Sequence, residues 1–127
     1  MNEYIISVGS NIDPKKNIDK ARSLLHTQFT LLKESEFLET KPEEFTDQAP
    51  FLNGAFLIQT ELNRDEVKRR LLATEEECGR VRTENKNGPR TIDLDITMVN
   101  GEVCDKDYEK YWFVKETVDQ LLEKDSL

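Results

Sequence analysis

The residues whose spacing most clearly points to chemistry are Asp93 and Asp95, within Ile92-Asp93-Leu94-Asp95-Ile96-Thr97-Met98-Val99. Alternation predicts a strand with Ile92, Leu94, Ile96 and Met98 on one face and both carboxylates on the other. Residues so placed have Cα atoms roughly 6.5 to 7 Å apart. From that separation two flexible carboxylates can clamp magnesium ions about 3.5 to 4 Å apart. Oxygen-only ligation suits magnesium rather than zinc. Just upstream stand Arg80, Arg82, Lys86 and Arg90, opposed only by Glu84, with Gly88-Pro89 leading into Arg90. Arginine forks grip phosphate oxygens and carboxylates hold the metal that bridges them, which are the parts phosphoryl transfer needs. In isolation a D-x-D strand is the solvated side of an edge, and each cation a surface residue paired with an acid. Lys86 keeps that reading; for Arg80, Arg82 and Arg90 the combination points to phosphate.

These residues need a scaffold. Tyr4 to Val8 is a short apolar run ending at Gly9-Ser10-Asn11, a buried strand stopping at a turn. Asp13-Pro14 starts a helix, the Asp side chain capping free amides, with Ile18, Ala21, Leu24 and Leu25 on one face. Phe29 to Thr40 reads as strand, loop, strand, and Lys41-Pro42 with Asp47-Gln48-Ala49-Pro50 brackets an exposed loop. In the strand Phe51 to Thr60, Leu52, Phe56 and Ile58 share one face and Phe51, Asn53, Ala55 and Leu57 the other. Asn63 and Glu66 resemble a capping box for a second helix with Val67, Leu71 and Leu72 buried and Gly79 as its stop. Glu75 borders that stripe, placed for a structural ion pair or for a ligand; Glu76 and Glu77 read as solvated. Asn100-Gly101 signals a hairpin, and Tyr111 to Leu122 is apolar enough to dock as a last helix. The order is strand, helix, strand, strand, helix, strand, predicting an α+β, split βαβ antiparallel sheet with helices on one face and the opposite face left for loops and ligand.

Composition narrows the function classes. The 127 residues fit one domain, 1–127, and the formal net charge is -8. With 10 aromatics and that charge, a surface that tracks nucleic-acid backbone is excluded as a general property. Cys78 and Cys104 have no metal or disulfide spacing, and the N-terminus lacks a signal-peptide pattern. No stretch approaches the roughly 18 apolar residues of a membrane span. The expectation is a cytoplasmic monomer acting on small molecules. His26, remote from every other candidate, has no catalytic role.

With these residues in hand, the sequence resembles the 6-hydroxymethyl-7,8-dihydropterin pyrophosphokinase family. The resemblance runs from about Tyr4 to Val103, through Tyr4-Ile-Ile-Ser-Val-Gly-Ser-Asn11, Thr40-Lys-Pro42, Asp47-Gln48 with Phe51-Leu-Asn53, Gly79-Arg-Val-Arg82 and Gly88-Pro-Arg-Thr-Ile-Asp-Leu-Asp95. The resemblance implies a ferredoxin-like βαββαβ fold and a magnesium-dependent diphosphokinase of folate biosynthesis that moves a pyrophosphoryl group from ATP to the pterin hydroxymethyl. It implies two magnesium ions on Asp93 and Asp95, with Arg82 and Arg90 beside them as catalytic residues. It implies ATP contacts at Glu75, Arg80, Arg82, Arg90 and Ile96, and pterin contacts at Thr40, Pro42, Phe51 and Asn53.

The departures are specific. Asn87 stands where many members place a tryptophan over the pterin, and Lys41 where a proline is usual. Thr97 interrupts an apolar pair that usually follows the second Asp. After Val103 the stretch is shorter and lacks a His-Tyr pair and an Arg that contact ATP, with Tyr108 and Lys110 standing as their remnants. Trp112 or Phe113 takes the place of the aromatic that packs on the pterin. Two rival readings stay open: a catalytically impaired homologue that binds nucleotide and pterin, and an RNA-binding module of the same topology. Against the second, the strand from Ile92 carries aspartates where such modules carry aromatics.

Overall fold

The computed structural model describes residues 1–41, 49–80 and 91–122. The elements are β1 (Asn2–Ser10), α1 (Pro14–Gln28), β2 (Thr30–Glu34), β3 (Leu38–Thr40), β4 (Phe51–Thr60), α2 (Arg64–Glu77), β5 (Asp93–Val99), β6 (Glu102–Val103), α3 (Asp107–Lys110) and α4 (Trp112–Leu122). They form one antiparallel sheet in the order β2-β4-β1-β5-β6, with β3 also paired to β4. The expected βαββαβ succession is therefore present, β2 and β3 being two lengths of one broken edge along β4. Across the break, Ser35 N–H donates to the Ala55 carbonyl at 2.9 Å and Ala55 N–H to Ser35 Oγ at 2.8 Å. Gly54 sits opposite the break because any Cβ there would lie 2.5 Å from the Phe37 ring.

The α1 and α2 helices bury Ile18, Ala21, Leu25, Val67 and Leu71 against Tyr4, Ile6, Val8, Phe56, Ile58, Leu94 and Ile96 of one sheet face. The α2 start is as expected, with the Asn63 side chain accepting from Glu66 N–H at 3.0 Å. Its end is closed by Gly79 N–H on the Glu76 carbonyl and Arg80 N–H on that of Glu75, the two-bond pattern of a helix that stops in a left-handed residue. None of the described helices is long and apolar enough to cross a membrane.

Four expectations are corrected. Asp13 makes no side-chain cap: its backbone is left-handed (φ 39°), and its carbonyl accepts from Asn17 N–H instead. Leu72 is 37% exposed, while Thr74 and Glu75 take the buried positions at that end of α2. Met98 does not share a face with Ile92, Leu94 and Ile96. Ile5 pairs with Met98 and Ile6 with Ile96, so Thr97 is an extra residue in a β-bulge that turns Met98 to the other side. That other side is not left entirely to loops and ligand: α4 packs there, Val114, Val118 and Leu121 meeting Ile5, Ala55 and Met98.

Candidate active site

What α4 leaves uncovered on the second face is a cavity of about 300 Å³. Its walls come from β1 (Ser7, Gly9), β3 and β4 (Thr40, Phe51, Asn53), β5 (Asp93, Asp95, Thr97) and the start of α4 (Phe113, Val114), with Tyr111 beside them. Phe51 and Asn53 reach it together because alternation along β4 puts them on one face. Asn53 Nδ2 donates to Thr40 Oγ1 at 2.6 Å, a polar pair on the side of the cavity that Phe51 also lines. Tyr111 and Phe113 stack on each other with centroids 5.4 Å apart.

A second cavity, about 560 Å³, lies between α2 and β5. Asp93, Asp95, Asp105 and Asp107 line both cavities, so the carboxylates form the partition between them. Arg80 reaches that partition from the α2 end: its Nη1 donates to Glu75 Oε2 at 2.7 Å and to Asp93 Oδ1 at 2.9 Å. Glu75, 2% exposed, also accepts from Leu94 N–H at 2.8 Å and so ties α2 to the strand that carries the aspartates. Burial works against the Arg80 charge, but Asp93 and Glu75 outweigh it and hold its pKa above the ordinary value. Asp95 is exposed on the cleft, with protein packed around much of its carboxylate. Burial first, then the charges of Asp93, Glu75, Asp105 and Asp107, push it up to about 7. A carboxylate crowded by other carboxylates is one whose charge a cation would relieve. Among the described residues no group of three or more His, Cys, Asp or Glu forms a metal cage. Magnesium needs none: it takes one or two carboxylates and completes its shell with water and substrate phosphates.

Thr40, Phe51, Asn53, Asp93, Asp95 and Phe113 converge on the first cavity, and Glu75, Arg80 and Ile96 on the second. Trp112 does not converge: it is 66% exposed, set edge-on to Phe113. Tyr108 hydroxyl donates to Asp119 and Lys110 lies over the Tyr111 ring, so neither lines either cavity. Pro42, Arg82 and Arg90 lie outside the described residues. Sequence reasoning missed Asp105, Asp107 and Tyr111. The signal for the first two was present, since Asp105-Lys-Asp107 repeats the spacing of Asp93-Leu-Asp95.

The family model described as 7,8-dihydro-6-hydroxymethylpterin-pyrophosphokinase (HPPK) matches residues 5–123. The chain belongs to this family. It is also similar to several named proteins. A 2-amino-4-hydroxy-6-hydroxymethyldihydropteridine pyrophosphokinase of Bacillus subtilis is 44% identical over 100 residues, covering 76% of this chain and 59% of the relative. The Campylobacter jejuni protein of the same name is 36% identical over 102 residues, covering 78% of this chain and 64% of its own length. A "Folate synthesis bifunctional protein" of Arabidopsis thaliana is 35% identical over 96 residues, 74% of this chain and 20% of the relative. The chain thus spans less than two-thirds of the length of each of these relatives.

Proposed function

We propose that this chain transfers the pyrophosphoryl group of ATP to the hydroxyl of 6-hydroxymethyl-7,8-dihydropterin, forming AMP and the pterin diphosphate in folate synthesis. The single observation that carries this reading is the shared carboxylate partition. One cavity offers rings and an amide to a flat heterocycle, the other offers a larger volume for a nucleotide, and the two meet at Asp93 and Asp95. Membership of the HPPK family supports it.

In this mechanism Phe51 and Phe113 hold the ring, and Asn53 with the backbone at Thr40 reads its polar edge. Asp93 orients the hydroxymethyl oxygen, which attacks the β-phosphorus in line. The bond from that phosphorus to the oxygen of AMP breaks, and the hydroxyl proton is released to solvent. Arg82 and Arg90 are assigned to the phosphates. Arg80 serves as a positioning residue, holding Asp93 in place through its pair with Glu75. Asp93 and Asp95 are the residues that would hold two magnesium ions, which would supply positive charge against the phosphates during transfer. The protein is taken to work as a cytoplasmic monomer on these small-molecule substrates.

A second reading, a nucleotide- and pterin-binding protein without turnover, draws on one observation. Asp105 and Asp107 add negative charge to the nucleotide cavity, while Tyr108 and Lys110 stand outside it. A product assay with ATP, magnesium and the pterin separates the two. AMP formed only when pterin is present, and abolished by EDTA, is the expected result. Magnesium-dependent ATP binding without AMP selects the binding protein, and failure to bind either ligand overturns both.

A further inference from the structure

The ring cavity has a second polar point, deep beside α4. Ser7 on β1 and Thr97 at the β5 bulge bring their hydroxyl oxygens to 2.6 Å, and both line the cavity. Neither has a part in the assignments above. Thr97 is 1% exposed and Ser7 half-buried, so Ser7 is the member of the pair that faces a ligand.

Two hydroxyls joined by one hydrogen bond leave one hydrogen over. When Ser7 donates, the Thr97 hydrogen turns to the Asp95 carbonyl at 3.5 Å and Ser7 lone pairs face the cavity. When Thr97 donates, the Ser7 hydrogen faces it. Either way Ser7 Oγ is the atom presented, as acceptor or donor, and Thr97 holds it in place. Its position relative to the other polar point follows from register. Ser7 pairs with Ala55, and Asn53 is two residues along the same strand from Ala55, so Ser7 and Asn53 are diagonal neighbours about 7–8 Å apart. That separation is too short to hold a two-ring heterocycle end to end between them, so the two groups are neighbouring polar points beneath one flat ring system.

We propose that Ser7 is a specificity-determining residue whose hydroxyl, held by Thr97, hydrogen-bonds a polar atom of a flat two-ring heterocycle that is not among those taken by Asn53. This rests on the functional reading above, which makes the heterocycle a pterin. A ligand with carbon at that position leaves Ser7 unpaired and is discriminated against.

The test is the Ser7→Ala/Thr97→Val double variant, which removes both partners and strands neither. The expected result is a three- to tenfold rise in Kd for 6-hydroxymethyl-7,8-dihydropterin, about what one lost hydrogen bond is worth. KM for the pterin rises with it and KM for ATP does not. Thr97→Ser, which keeps the hydroxyl, retains wild-type pterin affinity. A double variant with changed melting temperature and wild-type pterin Kd overturns the inference, the pair then being structural. If the double variant does not fold, Ser7→Ala alone is measured, and wild-type affinity there overturns it equally. Wild-type protein that binds no pterin overturns the functional reading and this inference with it, whereas pterin binding indifferent to Ser7 overturns the inference alone.

Discussion

The two faces of one sheet are built to opposite ends. On the first, Tyr4, Ile6, Val8, Phe56, Ile58, Leu94 and Ile96 meet α1 and α2 in a continuous core. On the second, the same strands present Ser7, Gly9, Asn53, Asp93, Asp95 and Thr97, and the apolar cluster under α4 covers only part of it. Strand alternation forces the pairing of these faces: each large residue turned to the core leaves its neighbours turned to the hollow. The first face therefore carries stability, while the second, short of bulk and rich in polar groups, carries the cavity. Burial and mutual repulsion on the second face leave a carboxylate there harder to ionise than usual.

The sharpest way to break this division is to cut each face and ask which property fails. Phe56→Ala on the fully buried face should cost about 3–5 kcal/mol in chemical denaturation, while the protein that remains folded keeps its pterin affinity. A loss confined to affinity would mean that the faces are not separate.

Asp95→Asn is the converse cut. AMP formation should fall by about 10²- to 10³-fold, the scale expected when a group that stabilises transition-state charge is removed. Stability should show a pH signature. The folded-state pKa of Asp95 is raised to about 7, so the folded protein holds that proton more tightly than the unfolded chain does. Its contribution is full below the unfolded carboxylate pKa of about 4 and is lost as pH rises through about 7. In metal-free protein Asp95→Asn should flatten this fall, read as melting temperature against pH. An unchanged slope would place the crowding elsewhere.

Gly54→Ala tests how the broken edge supports both faces at once. The added methyl meets the Phe37 ring, which packs on the first-face core, so overpacking of about 1–3 kcal/mol is expected by denaturation. The smallest effect is expected at the rim: Trp112→Ala should change stability by about 0.5 kcal/mol or less and leave pterin KM unchanged, because the ring is exposed and outside the cavity. Phe113→Ala, one residue on, should raise that KM.

Much of this was legible in the chain itself. The alternation of Phe51 to Thr60 by itself places Phe51 with Asn53, and the second helix carries its start at Asn63 and its stop at Gly79 in its residue types. The site's aspartates were legible because D-x-D within an alternating run has only one way to face. Where the reading failed, local pattern met a tertiary demand. Met98 fits an unbroken alternation, but the bulge at Thr97 reverses it, and only the pairing with β1 imposes a bulge. Leu72 fits the apolar stripe of its helix, yet Glu75 is the residue buried, because Leu94 N–H and Arg80 are there to satisfy it.

The sequence by itself determined the βαββαβ order, the faces of the strands where alternation is unbroken and the carboxylate pair, since periods of two and of 3.6 residues are properties of the backbone alone. The tertiary structure decided which residues distant in the chain share a wall. It chose Phe113 over Trp112 for the cavity, drew Asp105 and Asp107 to the partition, and set Ser7 against Thr97. These are outcomes of sheet register and of the way α4 packs on the second face, which no local pattern of residues encodes.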